Sequence, residues 1–277
     1  MPPFHPQLEG AAMRVDPSTN EPYLVVPAID SNGIQVISIN RKRARNGFDG
    51  WLFLCLADAL NAASQNDKVL VVVLTGEGDY FSSGADLRSK ANLGQNRGLL
   101  HDPTGVFMQI VLQFPKILVA AVNGPAIGVG CSILPICDMV FATPEAYFQV
   151  PFSRIAVCPE FCSSVTFPQL LGHSTANEML LFGKQLNAVR AHKLGLVSHL
   201  IPREQFLPEV LAQIRSGLIP VLMERTLPLF KQMLRKWDAD FMLKVCADEL
   251  VRIDKRAADG DIATAVQAFM GAKAGKL

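Results

Sequence analysis

Two glycine-bearing turns and one carboxylate carry most of the chemistry open to this chain. The first turn, Phe81-Ser82-Ser83-Gly84-Ala85-Asp86-Leu87, follows an apolar, β-branched run. The second, Asn123-Gly124-Pro125-Ala126-Ile127-Gly128-Val129-Gly130, follows another apolar run and leads into a short apolar helix. Small residues in such turns let backbone approach a ligand, and a helix N-terminus presents unpaired N–H groups with a favourable dipole. Two N–H donors from neighbouring strand ends can converge on one oxygen and form an oxyanion hole. The same glycines serve equally to make tight turns. The carboxylate is Glu160, within Cys158-Pro159-Glu160-Phe161-Cys162-Ser163-Ser164-Val165-Thr166-Phe167-Pro168. It can act as a general base, or it can simply start a helix over Phe161–Leu171 and favour that helix's dipole.

Other constellations fail on spacing. Gly76-Glu77-Gly78-Asp79-Tyr80-Phe81 follows a strand, but a dinucleotide fingerprint needs glycine where Phe81 stands. Ser83 and Ser163 lack a G-x-S-x-G elbow, which leaves a serine hydrolase without support. The five histidines (His5, His101, His173, His192, His199) show neither triad nor metal spacing. Of the six cysteines, Cys158/Cys162 and Cys131/Cys137 are not C-x-x-C pairs. Cys55 and Cys246 stand apart. No metal site is expected, and the thiols read as small buried hydrophobes in a reducing compartment. The densest basic run, Arg41-Lys42-Arg43-Ala44-Arg45, reads either as a phosphate contact or as a solvated turn.

The elements that must position these residues follow from patterning. Gly33–Asn40 alternates as a half-buried strand, whereas Val69–Thr75 and Ile117–Asn123 are apolar throughout, as strands covered on both faces are. Further strands are predicted near Met139–Ala142, Ala146–Val150 and Val197–Ile201. Asp49 caps a helix whose Leu52, Cys55, Leu56, Ala59 and Leu60 share one face, and Thr104 opens another that Pro115 closes. Thr175 and Glu178 suit a capping box, Asn187 a cap for Ala188–Leu194, and Gly195 its stop. From Arg203 onward only helical patterns remain, broken near Pro220, Asp238 and Gly260. Alternating strands and helices call for a mostly parallel sheet. The expected organisation is an N-terminal arm over 1–20, an α/β core over 21–201 and a helical region over 202–277.

Composition narrows the partners. In 277 residues, 26 Lys and Arg stand against 25 Asp and Glu, which argues against a nucleic-acid footprint. The apolar fraction of 49% supports a sizeable core. The longest tight apolar runs, Val69–Leu74 and Ile117–Val122, fall far below the ~18 residues of a membrane helix, so no membrane association is expected. Met1–Arg14 has neither a signal-peptide apolar stretch nor the composition of a mitochondrial transit peptide. Gly275-Lys276-Leu277 is one residue away from the S-K-L peroxisomal address.

VLTGEGDYFSSGADL, followed about thirty residues later by PKILVAAVNGPAIGVGCSILPICDMVFAT, resembles the enoyl-CoA hydratase/isomerase (crotonase) superfamily from about Ile34 to Val197. The resemblance implies a spiral of ββα units with a helical C-terminal region that builds trimers, often paired into hexamers. It implies an oxyanion hole from the N–H groups of Ala85 and Val129 for an acyl-CoA thioester oxygen. Ser83, Gly84, Ala85, Asp86, Leu87 and Gly128 would line the substrate path. No separate cofactor is implied, because coenzyme A is part of the substrate. The two glutamates that hydratases use for water addition match Ser132 and Phe152, neither of which transfers protons at neutral pH. Instead C-P-E-F-C-S-S-V-T-F-P is similar to the S-P-E-x-C-S-S-x-T-F-P segment of the peroxisomal Δ3,Δ2-enoyl-CoA isomerases, whose single catalytic base maps onto Glu160. Phe148–Ser153 and Glu178–Lys184 (EMLLFGK) strengthen that match.

On this reading Phe161, Val165 and Phe167 surround the carboxylate and raise its pKa. Arg41–Arg45 matches a place that meets the coenzyme A phosphates, and Phe269 and Lys273 match tail residues that reach the adenine end. The implied activity is Δ3,Δ2-enoyl-CoA isomerisation in β-oxidation of unsaturated fatty acids, in a peroxisome or, alternatively, a mitochondrion. The rivals are hydration, dienoyl-CoA isomerisation, thioester hydrolysis, or a non-catalytic acyl-CoA- or RNA-binding role. A dienoyl isomerase would want a second acid near the pocket, and none stands out in the sequence.

Overall fold

The computed structural model describes residues 15–88, 98–217, 226–235 and 239–274. Its centre is a six-stranded sheet of β3 (Leu24–Val25), β4 (Ile34–Ile39), β5 (Val71–Gly76), β6 (Ile117–Val122), β8 (Met139–Ala142) and β11 (His199–Leu200). Spatially the order is β11-β8-β6-β5-β4-β3, parallel except for the β3–β4 edge. A second sheet pairs β10 (Leu186–Asn187), β9 (Tyr147–Gln149) and β7 (Ala126–Ile127).

Covering on both faces explains the unbroken apolar runs. Along β5, Val72 and Leu74 enter the main core, while Val71 and Val73 enter a second cluster on the opposite face. On β6, Leu118, Ala120 and Val122 face the first, Val119 and Ala121 the second. Helix α1 (Gly50–Gln65) covers the main face through Leu52, Phe53, Leu56 and Leu60. Asp49 caps it, accepting from the Leu52 N–H. Helix α7 (Phe206–Ser216) seals the other face with Phe206, Val210 and Ile214. Each Val or Leu so buried is worth ~1.5–3 kcal/mol.

Four local expectations change. Asp102, not Thr104, opens α2 (Pro103–Leu112): its carboxylate accepts from the Thr104 and Gly105 N–H groups, and Pro103 sits at the first turn, where it lacks no needed donor. Thr175 and Glu178 form no capping box. Gly172 stands before α5 (His173–Leu180), while Glu178 and Thr175 both engage Arg190, at 2.9 and 3.1 Å. Asn187 caps α6 (Ala188–Lys193) as expected. The helix expected from Phe161 begins later, as α4 (Ser163–Leu171), because Phe161 and Cys162 adopt φ of 56° and 61°. Finally, the arm expected over 1–20 is structured from Val15. β1 (Val15–Asp16) pairs with β2 (Glu21–Pro22), and Asp16 is buried against Arg41.

Beyond α7 the described chain is helical: α8 (Thr226–Arg235), α9 (Ala239–Ala258) and α10 (Asp261–Ala274). Gly260, at φ 79°, makes the last bend. The breaks expected near Pro220 and Asp238 and the terminal Gly275-Lys276-Leu277 lie outside the described residues, as does the side chain of Lys273.

Candidate active site

The site starts from the parallel register of β5 and β6, which pairs Val71 with Ile117 and delivers both glycine-bearing loops to the same end of the sheet. There the loops zip together. Ser82 N–H donates to Pro125 O at 3.2 Å and Ile127 N–H to Ser82 O at 2.9 Å. Approach this close needs glycine. A Cβ on Gly84 would lie 2.8 Å from Ile127 O, and one on Gly130 would lie 2.7 Å from Ser82 Cβ. Gly84 and Gly128 also hold φ of 84° and 55°. The Ala85 and Val129 N–H groups, one from each loop, donate to no acceptor among the described residues.

Both amides border a cavity of about 550 Å³. Ser83, Gly84, Ala85, Leu87 and Gly128 line it as expected; Asp86 does not. Its carboxylate turns instead to Arg41, 3.3 Å away, so it anchors the loop rather than touching a ligand. Arg41 itself is buried and meets Asp16 and Asp49 at 2.9 and 3.2 Å, which removes it from the candidate phosphate contacts. Of the basic run, Arg45 reaches the cavity wall, its guanidinium 5.4 Å from the Tyr80 ring centre. Phe269 also lines the cavity.

Glu160 faces this cavity beside Val157 and Leu250. Burial is the main cause that pushes its carboxyl up to about 7, and the negative charge of Glu249 adds to it. The three side chains expected to enclose it are not on the cavity wall. Phe161 and Phe167 are core residues, and Phe161 packs edge-on against Phe107. Nor does Glu160 serve the α4 dipole: the carboxylate at that helix N-terminus is Glu249, which accepts from Cys162 N–H at 2.7 Å and Ser164 N–H at 3.1 Å. At the two places matched to hydratase glutamates, Phe152 presents a ring to the cavity and Ser132 is fully buried.

Two acidic residues escaped the sequence reading. Glu249 sits on the buried stripe of α9 with Cys246, Leu250 and Ile253, so its signal was a charge inside an i, i+3, i+4, i+7 apolar pattern. Asp254, one turn on, lines the cavity and accepts from Leu99 N–H at 2.8 Å. The second acid near the pocket therefore exists. Among the described residues no group of three or more His, Cys, Asp or Glu could hold a metal ion, and no helix is long and apolar enough to cross a membrane.

Ala85, Val129 and Glu160 thus line one cavity, and two free amides with one buried carboxylate are groups able to hold a carbonyl oxygen and move a proton beside it. A family model described as enoyl-CoA hydratase/isomerase matches residues 30–239. The mouse protein enoyl-CoA delta isomerase 3, peroxisomal, is 36% identical over 249 residues, 88% of this chain and 77% of its own. Human enoyl-CoA delta isomerase 2 is 33% identical over 280 residues, 97% of this chain and 69% of its own. The crystal structure of an enoyl-CoA hydratase/isomerase from Pseudoalteromonas atlantica superimposes with a TM-score of 0.82 at 29% identity, covering 90% of this chain and 97% of that one. The chain belongs to the enoyl-CoA hydratase/isomerase family and has its crotonase-like α/β fold.

Proposed function

We propose that this protein is a Δ3,Δ2-enoyl-CoA isomerase in which Glu160 is the single proton carrier. The observation that carries the reading is one desolvated carboxylate on the same cavity wall as the Ala85 and Val129 amides, with Phe152 and Ser132 at the positions matched to hydratase glutamates. In a 3-enoyl thioester the C2 protons are acidified by both the carbonyl and the double bond. Glu160 removes one; the electron pair left on C2 delocalises into a dienolate whose negative charge rests on the thioester oxygen, where the two N–H groups stabilise it. The protonated Glu160 then returns the proton to C4, and the double bond ends between C2 and C3. Each such amide is worth ~100–1,000-fold in rate, and a positioned base ~100–10,000-fold. Hydration also needs a held water and usually two carboxylates, and at the two positions matched to them this chain has Ser132 and Phe152.

The acyl-CoA thioester is the substrate, and coenzyme A enters as part of it. Arg45 and Arg154, exposed on the cavity wall, suit its phosphates. Family resemblance supports assembly into trimers or hexamers, and the exposed Leu229, Phe230, Met233 and Leu234 of α8 supply an apolar face for it. The name of the mouse relative, enoyl-CoA delta isomerase 3, peroxisomal, supports a peroxisomal location, where the proposed reaction would serve β-oxidation of unsaturated fatty acids.

Turnover of a trans-3-enoyl-CoA by wild type and Glu160→Gln tests the reading, with trans-2-enoyl-CoA hydration measured alongside. The expected result is isomerisation without appreciable hydration, lost by ~100-fold or more in the variant while acyl-CoA binding persists. Equal isomerisation by both proteins overturns it. Dienoyl-CoA isomerisation is a second reading, favoured by Asp254 on the cavity wall. It predicts turnover of a 3,5-dienoyl-CoA that Asp254→Asn abolishes, whereas 3-enoyl turnover would survive that change.

A further inference from the structure

Glu160 belongs to neither a helix nor a strand. It lies in a turn, residues 156–162, where three non-glycine residues, Ala156, Phe161 and Cys162, hold φ of 55°, 56° and 61°. Such backbone persists only when surrounding structure over-determines it. Helix α9 supplies that structure at three points. Cys162 Sγ–H donates to Met242 O at 3.2 Å. Glu249 accepts from the Cys162 and Ser164 N–H groups and from the Ser164 hydroxyl. Arg256 Nε–H donates to Ala156 O at 2.7 Å. Residues 242, 249 and 256 are each about two helical turns apart, so they form one stripe. Beside it Leu250, Ile253 and Asp254 line the cavity. One helix thus walls the cavity and grips the loop that projects Glu160 into it.

We propose that Glu249 is a positioning residue for Glu160: its buried carboxylate anchors the Glu160 turn to α9 and sets a second negative charge behind the base. This rests on Glu160 being the base of the proposed isomerase. Oε2 of Glu249 accepts from Cys162 N–H and Oε1 from the Ser164 N–H and hydroxyl, and these donors favour the ionised carboxylate against the burial that raises it. Glu249 is 5% exposed and does not line the cavity, so it does not touch substrate.

The charged groups around the two glutamates leave this coupling unneutralised. Among the described residues neither glutamate has an ion-pair partner. Asp248 and Arg252 pair with each other on the exposed side of α9 at 2.7 Å. Arg256 is spent on Ala156 O and Asp261. Asp254 binds Leu99 N–H, and Asp102 caps α2. Arg45 and Arg154 stand elsewhere on the cavity wall. Of the thiols, Cys158 is two residues from Glu160 in the chain, and Cys162 shares a hydrogen bond with Cys246 and feels the Glu249 charge. Burial raises the Glu249 carboxyl, with the Ser164 and Cys162 donors opposing it, and Glu249 in turn helps raise Glu160.

The test is a 13C-NMR titration of the Glu160 carboxyl in the full-length protein, its resonance assigned by its loss in Glu160→Gln, in wild type, Glu249→Gln and Glu249→Asp. In Glu249→Gln the Glu160 midpoint is expected to fall by roughly half a unit or more, and the acid limb of kcat to move with it. In Glu249→Asp the charge remains but retreats by one methylene. The midpoint should stay raised while kcat falls by ~10-fold or more with KM little changed, since a misplaced base loses rate rather than binding. A Glu160 midpoint unmoved in folded Glu249→Gln overturns the proposal. If that variant does not fold, an unchanged kcat in Glu249→Asp overturns it. Should wild type lack isomerase turnover, the functional reading fails while the titration still decides whether the two carboxylates are coupled.

Discussion

Glu160 is half-buried at the cavity wall, and the direction of its shift has two measurable consequences. A general base works only when ionised, so kcat/KM for isomerisation should climb with pH and level off above about 7, the value to which burial and Glu249 push this carboxyl. Stability should move the other way. Because the folded-state value lies above the ordinary 4.5, the contribution of Glu160 is fully present below about 4.5 and is lost as pH rises through about 7. Glu160→Gln escapes that loss. Its melting temperature should match wild type near pH 4.5 and exceed it increasingly towards pH 7, as the stability difference opens by on the order of 1.4 kcal/mol per unit of pH at most. Thermal denaturation of both proteins across that range checks it, and a constant difference at every pH would mean that Glu160 carries no raised proton affinity.

At the scale of elements, the two loops work as a pair because glycine lets their backbones touch. Gly84→Ala puts a Cβ 2.8 Å from Ile127 O at a φ of 84°, so the loops must part and the Ala85 and Val129 amides with them. The expected loss is ~100-fold in kcat, much of it without loss of affinity. Gly260→Ala is the control. It carries similar strain at φ 79° but meets nothing within 4 Å, and should lower the melting temperature while leaving kcat near wild type. These loops were legible in the sequence because glycine spacing after two apolar strands is a local signal, and parallel register brings the strand ends together. The turn at Glu160 was not. Its left-handed residues are Phe161 and Cys162 rather than glycine, so local rules begin α4 two residues early. The side chains that hold both features were hidden for a simpler reason. Asp86 lies 45 residues from Arg41, and Glu249 lies 87 from Cys162; such pairs exist only once the chain has folded.

Across the whole molecule, one buried cation links regions that patterning treats as separate. Arg41 ties the β1–β2 hairpin through Asp16, helix α1 through Asp49 and the first loop through Asp86. Tyr23 O–H also donates to Asp49 at 2.9 Å. Burial pushes the Asp16 carboxyl up, but its bonds to Ser18 and Arg41 outweigh that and hold it below the ordinary value. This part of the fold therefore gains stability above that value and loses it as pH falls. Arg41→Met strands buried carboxylates and should cost about 3–5 kcal/mol in chemical denaturation. A loss under 1 kcal/mol would show that the cluster carries no net weight. The grip of α9 on the Glu160 turn has a consequence in time. The chain is made from its N-terminus at ~5–20 residues per second, so Ser164 and Cys162 wait 85 and 87 residues for Glu249, roughly 4–17 s. Through that interval the nascent chain has both glycine-bearing loops and Glu160, but neither the clamp on the Glu160 turn nor the wall that Leu250, Ile253 and Asp254 give the cavity.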